Sequence, residues 1–312
     1  MAIRSQTWRH WRWRMLYALK RGLDRAGGHV VRPLIGLLRR LDRRWASDTA
    51  AAVMRTLGPL LREHRIGRAN LKAAFPEKTP EEIERILAGV WDNLGRVAIE
   101  VIHLDRIAAT GTRGDGAYVT YGERELDRFE ALRASNRPAV IFTAHLANWE
   151  LPAVVAAQEG LRSMALYRRP NMASVADVLI EMREPLMGAL VASGFDAPIR
   201  LARGIEQGHH VGMLVDQHDH KGVAVTFFGR PCRVSPLIAM LAREYECPIH
   251  GVRMIRLPDG RFTGEITEAV PPVRDADGRI DVRGTMQAIT DVVETWVRDR
   301  PEQWLWLHRR WR

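Results

Sequence analysis

The stretch Thr143-Ala144-His145-Leu146-Ala147-Asn148-Trp149-Glu150 carries the residue types needed for proton transfer. A histidine stands five residues before a carboxylate, directly after the run Pro138-Ala139-Val140-Ile141-Phe142. That run, bounded by Asn136 and Arg137, reads as an interior strand of a parallel sheet. His145 then emerges at the strand's carboxyl end, where open α/β sheets bind their ligands. A helical turn after it would let Glu150 reach back to the imidazole. A carboxylate on one ring nitrogen fixes the tautomer and leaves the other nitrogen free to take a hydroxyl proton. The same letters also fit a core histidine beside a chance glutamate, because H-x4-E spacing is common.

Three more stretches end at apolar runs. Tyr167-Arg168-Arg169-Pro170-Asn171 offers either an anion site or a solvated arginine pair. Val215-Asp216-Gln217-His218-Asp219-His220 includes a His-Asp-His triplet, but side chains two apart in an extended segment point to opposite faces. No further ligand spacing accompanies it, so no metal is expected. Val225-Thr226-Phe227-Phe228-Gly229-Arg230-Pro231 reads as an apolar loop or strand that ends in a glycine turn. Cys232 and Cys247 form no C-x-x-C pair and read as small buried hydrophobes of a reducing compartment.

The elements that must position these residues follow from periodicity. Residues 1 to about 110 read as helical. Thr79-Pro80-Glu81-Glu82 is a helix start with a capping box and proline at the first position. Ile83, Ile86, Leu87, Val90, Leu94, Val97 and Val101 line one face of the helix it opens. From residue 117 strands and helices alternate. Strands are expected at 117–121, 139–143, 162–167, 211–215, 248–255 and 262–270, the last two paired through Pro258-Asp259-Gly260. Helices are expected at 123–135, 174–193, 235–245 and 282–298. The alternation predicts an α/β fold, a mostly parallel central sheet flanked by helices and preceded by an all-helical basic N-terminal region. The expected organisation is a basic amphipathic segment 1–45, a helical lead-in 46–115 and a catalytic domain 116–312.

The charge is localised. Residues 1–45 hold twelve Lys/Arg against two Asp, which equals the whole chain's net charge of +10. Trp8, Trp11, Met15, Leu19 and Leu23 step by three or four along one helical face, with Arg9, Arg14, Arg21 and Arg25 beside it. Such a stripe suits a helix lying in an anionic membrane interface. Its apolar patches are too short for a transmembrane span or a signal peptide. Nucleic-acid binding is the rival reading of interleaved Arg and Trp. The stripe favours a membrane, and no nucleic-acid partner is expected.

Taken in order, these motifs resemble the bacterial lipid A biosynthesis lauroyl acyltransferases, a branch of the lysophospholipid acyltransferase superfamily. The resemblance runs from about residue 60 to the C-terminus. It rests on Arg68-Ala69-Asn70-Leu71 to Phe75-Pro76, His145 to Glu150, Tyr167 with Arg169-Pro170-Asn171, Asp216-Gln217, Thr226 to Gly229, and Pro301-Glu302-Gln303-Trp304-Leu305-Trp306-Leu307-His308-Arg309-Arg310. Many members begin with a hydrophobic anchor helix, where this chain has the basic stripe.

The resemblance implies transfer of a lauroyl or similar chain from acyl carrier protein to a hydroxyacyl chain of a lipid A precursor, without metal or organic cofactor. His145 would be the general base, Glu150 its orienting carboxylate, and Arg169 the oxyanion or phosphate partner. Arg168, Asn171, Asp216, Gln217, Phe228 and Gly229 would bind substrate. The enzyme would sit peripherally on the cytoplasmic face of the inner membrane. The alternatives are a lysophospholipid or glycolipid acyltransferase of the same superfamily, or a non-enzymatic peripheral membrane or nucleic-acid binding protein.

Overall fold

The structure is a computed structural model that describes residues 31–135, 137–170 and 173–311. The amphipathic stripe of residues 8–25 and Asn171 therefore lie outside the described residues.

Seven strands form one sheet: β1 (Val119–Tyr121), β2 (Val140–Thr143), β3 (Ser163–Tyr167), β4 (Ala189–Ala192), β5 (His210–Leu214), β8 (Ile249–Arg256) and β9 (Phe262–Ile266). Their order is β1-β9-β8-β2-β5-β3-β4. Strands β8, β2, β5, β3 and β4 run parallel, so their carboxyl ends share one edge. The β8–β9 pair is the expected antiparallel hairpin, and β1 lies parallel to β9. A separate hairpin joins β6 (Val223–Phe227) to β7 (Arg230–Val234). Its two turn residues, Phe228 and Gly229, both have positive φ, 52° and 68°. That is the backbone a two-residue hairpin turn demands.

The helical lead-in comprises α1 (Arg43–Leu57), α2 (Arg62–Ala74), α3 (Pro80–Ile102) and α4 (Leu104–Ala108). The capping box forms at the start of α3, where the Thr79 amide donates to Glu82 Oε2 at 2.8 Å and the Glu82 amide donates to Thr79 Oγ1 at 3.3 Å. The lead-in shares its core with the sheet. Leu71, Ile83, Leu87 and Trp91 belong to the same apolar cluster as Phe142, Trp304 and Trp306. Asn70 Nδ2 donates to the carbonyls of Trp306 and His308, each at 2.8 Å. The expected boundary at 45/46 falls inside α1. Residues 31–38 are helical, and Ile35, Leu38 and Leu41 pack on Ala46, Ile99 and Ile102.

The remaining helices are α5 (Glu123–Ala134), α6 (Leu151–Gln158), α7 (Ala173–Arg183), α8 (Ala197–Glu206), α9 (Leu237–Tyr245) and α10 (Val282–Asp299). Burial along β2 alternates. Val140 and Phe142 face a tight layer, in which the Trp296 ring from α10 stacks on Phe142 at 5.5 Å. Gly251 is required there, since a Cβ would meet Phe142 Cζ at 2.6 Å. Ile141 and Thr143 face the other side, which is hollow.

Three expectations needed correction. The helix expected over 174–193 ends at Arg183, and the edge strand β4 follows it. Leu186 to Ala192 is an apolar run too short for periodicity to decide between helix and strand. Gly188, at φ 69°, makes the break. The stretch ending at Gly229 proved to be a full hairpin, and the strand expected over 262–270 ends at Ile266.

Candidate active site

His145 lies just beyond the end of β2, in an irregular loop that runs to α6. Its amide donates to Asp216 Oδ2 at 2.9 Å, and its Nδ1 lies 2.8 Å from Asp216 Oδ1. Asp216 follows β5, the strand hydrogen-bonded beside β2. The Trp304 indole N–H donates a third bond to the same carboxylate, at 2.7 Å. Asp216 is 1 % exposed. Burial alone would push its carboxyl up. The His145 ring, the two bonds from His145 and the nearby His308 together hold it well below the ordinary carboxylate range.

An ionised carboxylate only accepts hydrogen bonds, so His145 Nδ1 carries the proton. Nε2 is then the basic nitrogen. Gln217 Nε2 lies 3.1 Å from it and satisfies its lone pair. A hydroxyl that replaced this amide would stand where its proton passes to His145. The Trp149 ring packs against the imidazole at 5.2 Å. Trp304 also stacks edge-on with His308 at 5.5 Å, and burial pushes His308 down to about 4, which keeps it neutral.

Glu150 is not the partner of His145. The loop is no helical turn: Ala147 has φ 46°, and Asn148 Nδ2 is drawn to buried Glu100 at 3.0 Å. Glu150 instead receives a 2.5 Å bond from Arg183 Nη2, at the end of α7. Burial raises the Glu150 carboxyl, and Arg183 opposes that shift. Breaking a buried ion pair leaves one charge uncompensated, at a cost of about 3–5 kcal/mol. Glu150→Gln and Arg183→Met are therefore each expected to destabilise the protein, by less than that because both side chains are only part-buried and line the cavity. The double variant should lose less than the sum, because the two share one interaction. Denaturant melts of the four proteins check this. Additive losses would show that the two side chains act separately.

A cavity of about 490 Å³ opens beside His145. That size suits a small-molecule site. Its polar end holds His145, Trp149, Glu150, Arg168, Arg183 and Gln217. From there it runs over the hollow face of the sheet. The floor row is Ile141, Gly212 and Ala165, which are neighbours by strand register. Ala153 and Ala156 of α6 also line the space, and Phe129, Leu132, Val252 and Ile266 complete its apolar wall. Small side chains on adjoining elements leave a space shaped for an aliphatic chain. A larger cleft of about 680 Å³ lies elsewhere, and its walls include the paired groups Arg96 with Asp92 and Arg256 with Glu100. It contains neither His145 nor Asp216, and the carboxylates Asp48, Asp92, Glu100 and Asp259 on its walls are each paired with an arginine.

The other expected site residues divide. Gln217 and Arg168 line the cavity, whereas Arg169 pairs with exposed Asp177 at 2.5 Å, outside it. Consecutive residues leaving β3 point opposite ways, and the cavity takes the first. Arg168→Ala is therefore expected to slow turnover more than Arg169→Ala, since a charge-assisted bond contributes about 1.5–3 kcal/mol. Steady-state rates of the two variants decide it, and a larger loss at Arg169 would reverse the assignment. Phe228 and Gly229 do not line the cavity. Phe228 is buried edge-on against Phe75 at 5.1 Å, with the Arg298 guanidinium 4.3 Å from its ring centre. Arg183 and Trp149 have no periodic signal in the sequence. Trp304 does lie in the tail motif, but its bond to Asp216 is purely tertiary.

Residues 23–312 match the sequence profile described as bacterial lipid A biosynthesis acyltransferase. The chain belongs to that family. Lipid A biosynthesis acyltransferase 2 of Shigella flexneri is 24% identical over 262 residues, covering 82% of this chain and 80% of the relative. Lipid A biosynthesis acyltransferase 1 of Shigella flexneri is 25% identical over 242 residues, covering 76% and 72%. The lipid A biosynthesis myristoyltransferase of Escherichia coli (strain K12) is also 25% identical over 242 residues, with the same coverage. This acyltransferase thus acts in lipid A synthesis. No helix among its described residues is long and apolar enough to cross a membrane.

Proposed function

We propose that this acyltransferase moves a lauroyl-length chain from the thioester of acyl carrier protein to the hydroxyl of a hydroxyacyl chain on a lipid A precursor. One observation carries the reading: a histidine with Nδ1 fixed by a buried carboxylate and Nε2 at the mouth of an apolar cavity. The acceptor hydroxyl displaces the Gln217 amide and gives its proton to His145 Nε2 as its oxygen attacks the thioester carbon. Asp216 stabilises the imidazolium that forms. Arg183, held by Glu150, and Arg168 supply positive charge at the same end of the cavity for the tetrahedral oxyanion. When the C–S bond breaks, Nε2–H returns the proton to the leaving thiolate. No covalent acyl-enzyme is required.

The purified enzyme, given lauroyl–acyl carrier protein and a tetra- or penta-acylated lipid A precursor, should yield a product heavier by one lauroyl group. A product formed only from coenzyme A thioesters, or only on a lysophospholipid, would overturn the donor or the acceptor assignment. The arginine- and tryptophan-rich arm of residues 1–30 supports peripheral attachment to the anionic cytoplasmic face of the inner membrane.

Chain length is set in this reading by how far the cavity stays open. A Cβ at Gly212 would meet only the Met164 carbonyl, at 4.0 Å, so the strand tolerates a side chain there. Gly212→Leu should therefore fill the floor. Long donors should lose rate on the order of tenfold or more per excluded methylene, while short donors lose little. A donor series of graded length reads this directly. Equal losses at every length would show that the chain binds elsewhere.

A further inference from the structure

The loop between β4 and α8, residues 193–196, carries Phe195, whose side chain is fully exposed. Ile199, on the first turn of α8, is half exposed, and Pro198, Arg200 and Arg203 are exposed around it. Most of an exposed surface tolerates single apolar side chains. A fully exposed phenylalanine next to a second apolar tip, at the working edge of an enzyme that handles lipids, calls for a partner.

The loop is tied to the catalytic cavity. Ser193 lines it, and the Ser193 amide donates to the Tyr167 carbonyl at 2.8 Å. Tyr167 and the next residue, Arg168, line the same cavity. Phe195 is therefore two residues from the cavity wall. A second apolar surface adjoins the same region. Leu34 and Leu37 project from the helix over residues 31–38, and that helix is joined to α7 by the Arg32–Glu181 ion pair at 3.0 Å. Arg183 of α7 lines the cavity.

We infer that the β4–α8 loop is a membrane-inserting tip that seats the cavity mouth in the headgroup layer of an anionic bilayer. Separate apolar tips set among arginines suit the layered chemistry of a lipid interface: Phe195 and Ile199 reach the acyl boundary while Arg200 and Arg203 meet phosphates. A protein partner would call for a continuous apolar patch with a polar rim instead. Asp196, the one acidic residue of the loop, lies 4.0 Å from Arg200. An acceptor chain would then pass from bilayer to cavity without crossing water. This entry route rests on the lipid acceptor proposed above, but the membrane contact does not.

Cys232 and Cys247 are buried, so a cysteine at position 195 is open to selective labelling. Full-length Phe195→Cys carrying an NBD dye should shift its emission to the blue on phosphatidylglycerol/phosphatidylethanolamine vesicles. Phe195→Asp should partition to those vesicles roughly ten- to a hundredfold less, and Phe195→Leu should retain most of the binding. Activity of Phe195→Asp on detergent-dispersed acceptor should equal that of the wild type. A dye that keeps its aqueous emission on vesicles holding the protein overturns the inference, and so does undiminished partition of Phe195→Asp. A blue shift that grows with protein concentration without vesicles overturns it in favour of contact between copies of the chain. The vesicle measurements use neither donor nor acceptor, so a wrong substrate assignment leaves them standing.

Discussion

Replacing His145 with alanine is expected to lower acyl transfer by ~10²–10⁴-fold, the usual cost of removing a general base. The reason is geometric. Among the side chains at the polar end of the cavity, His145 alone pairs a carboxylate-anchored Nδ1 with a second nitrogen facing the space. Arg168 and Arg183 are cations, and Glu150 is committed to Arg183. The variant should be weakened but stay folded, because Asp216 keeps its bonds from the main-chain amide of residue 145 and from Trp304. Transfer within a few-fold of wild type, with an unchanged circular dichroism spectrum, would remove His145 from the mechanism.

Asp216→Asn is expected to cost on the order of 10³–10⁴-fold in turnover. An asparagine keeps the shape and still accepts from Trp304. Its amide N–H, however, would face Nδ1 and drive the proton to Nε2, the nitrogen that must be basic. Glu150→Gln should behave differently, losing stability before rate. The two variants therefore separate the residue that orients His145 from the residue of the H-x4-E motif. Stability against pH adds a second readout. Asp216 has a folded-state pKa below its unfolded value. Its stabilisation is present above the ordinary carboxylate range, near 3.9, and is lost as pH falls through and below it. Acid-unfolding curves of Asp216→Asn should lack that part of the slope. Identical acid slopes in the two proteins would mean that Asp216 is not held ionised by its neighbours.

The sequence pointed to His145 but not to Asp216 as its hydrogen-bonding partner. The apolar run before His145 is an interior strand, and parallel strands put their carboxyl ends on one edge, so a strand-end histidine was legible from patterning alone. The same rule placed Asp216 and Arg168 on that edge. Glu150 misled because its spacing reads as a helical turn, whereas positive φ at Ala147 and the pull of Glu100 on Asn148 reshape the loop. Local strings carry no sign of either. The structure turns Arg168 rather than Arg169 toward the cavity for a related reason: which of two successive side chains faces a cavity depends on where the strand ends. The capping box at Thr79, the β8–β9 hairpin and α10 were read correctly because their signals are confined to a few neighbouring residues.

The tail that supplies Trp304 also completes the loop that carries His145. Leu146 bridges to Trp304, the Ala147 amide bonds the Gln303 carbonyl, and the Leu305 amide bonds the His145 carbonyl. Asn70 reaches across 236 residues of chain to hold the Trp306 carbonyl. Contacts of such sequence separation form late in folding, because the entropy of closing long loops comes before any reward. A chain still emerging from the ribosome holds His145 and Asp216 before Trp304 follows. Until then the loop around His145 lacks its bridge to Trp304, and the Asp216 carboxylate lacks one of its three donors.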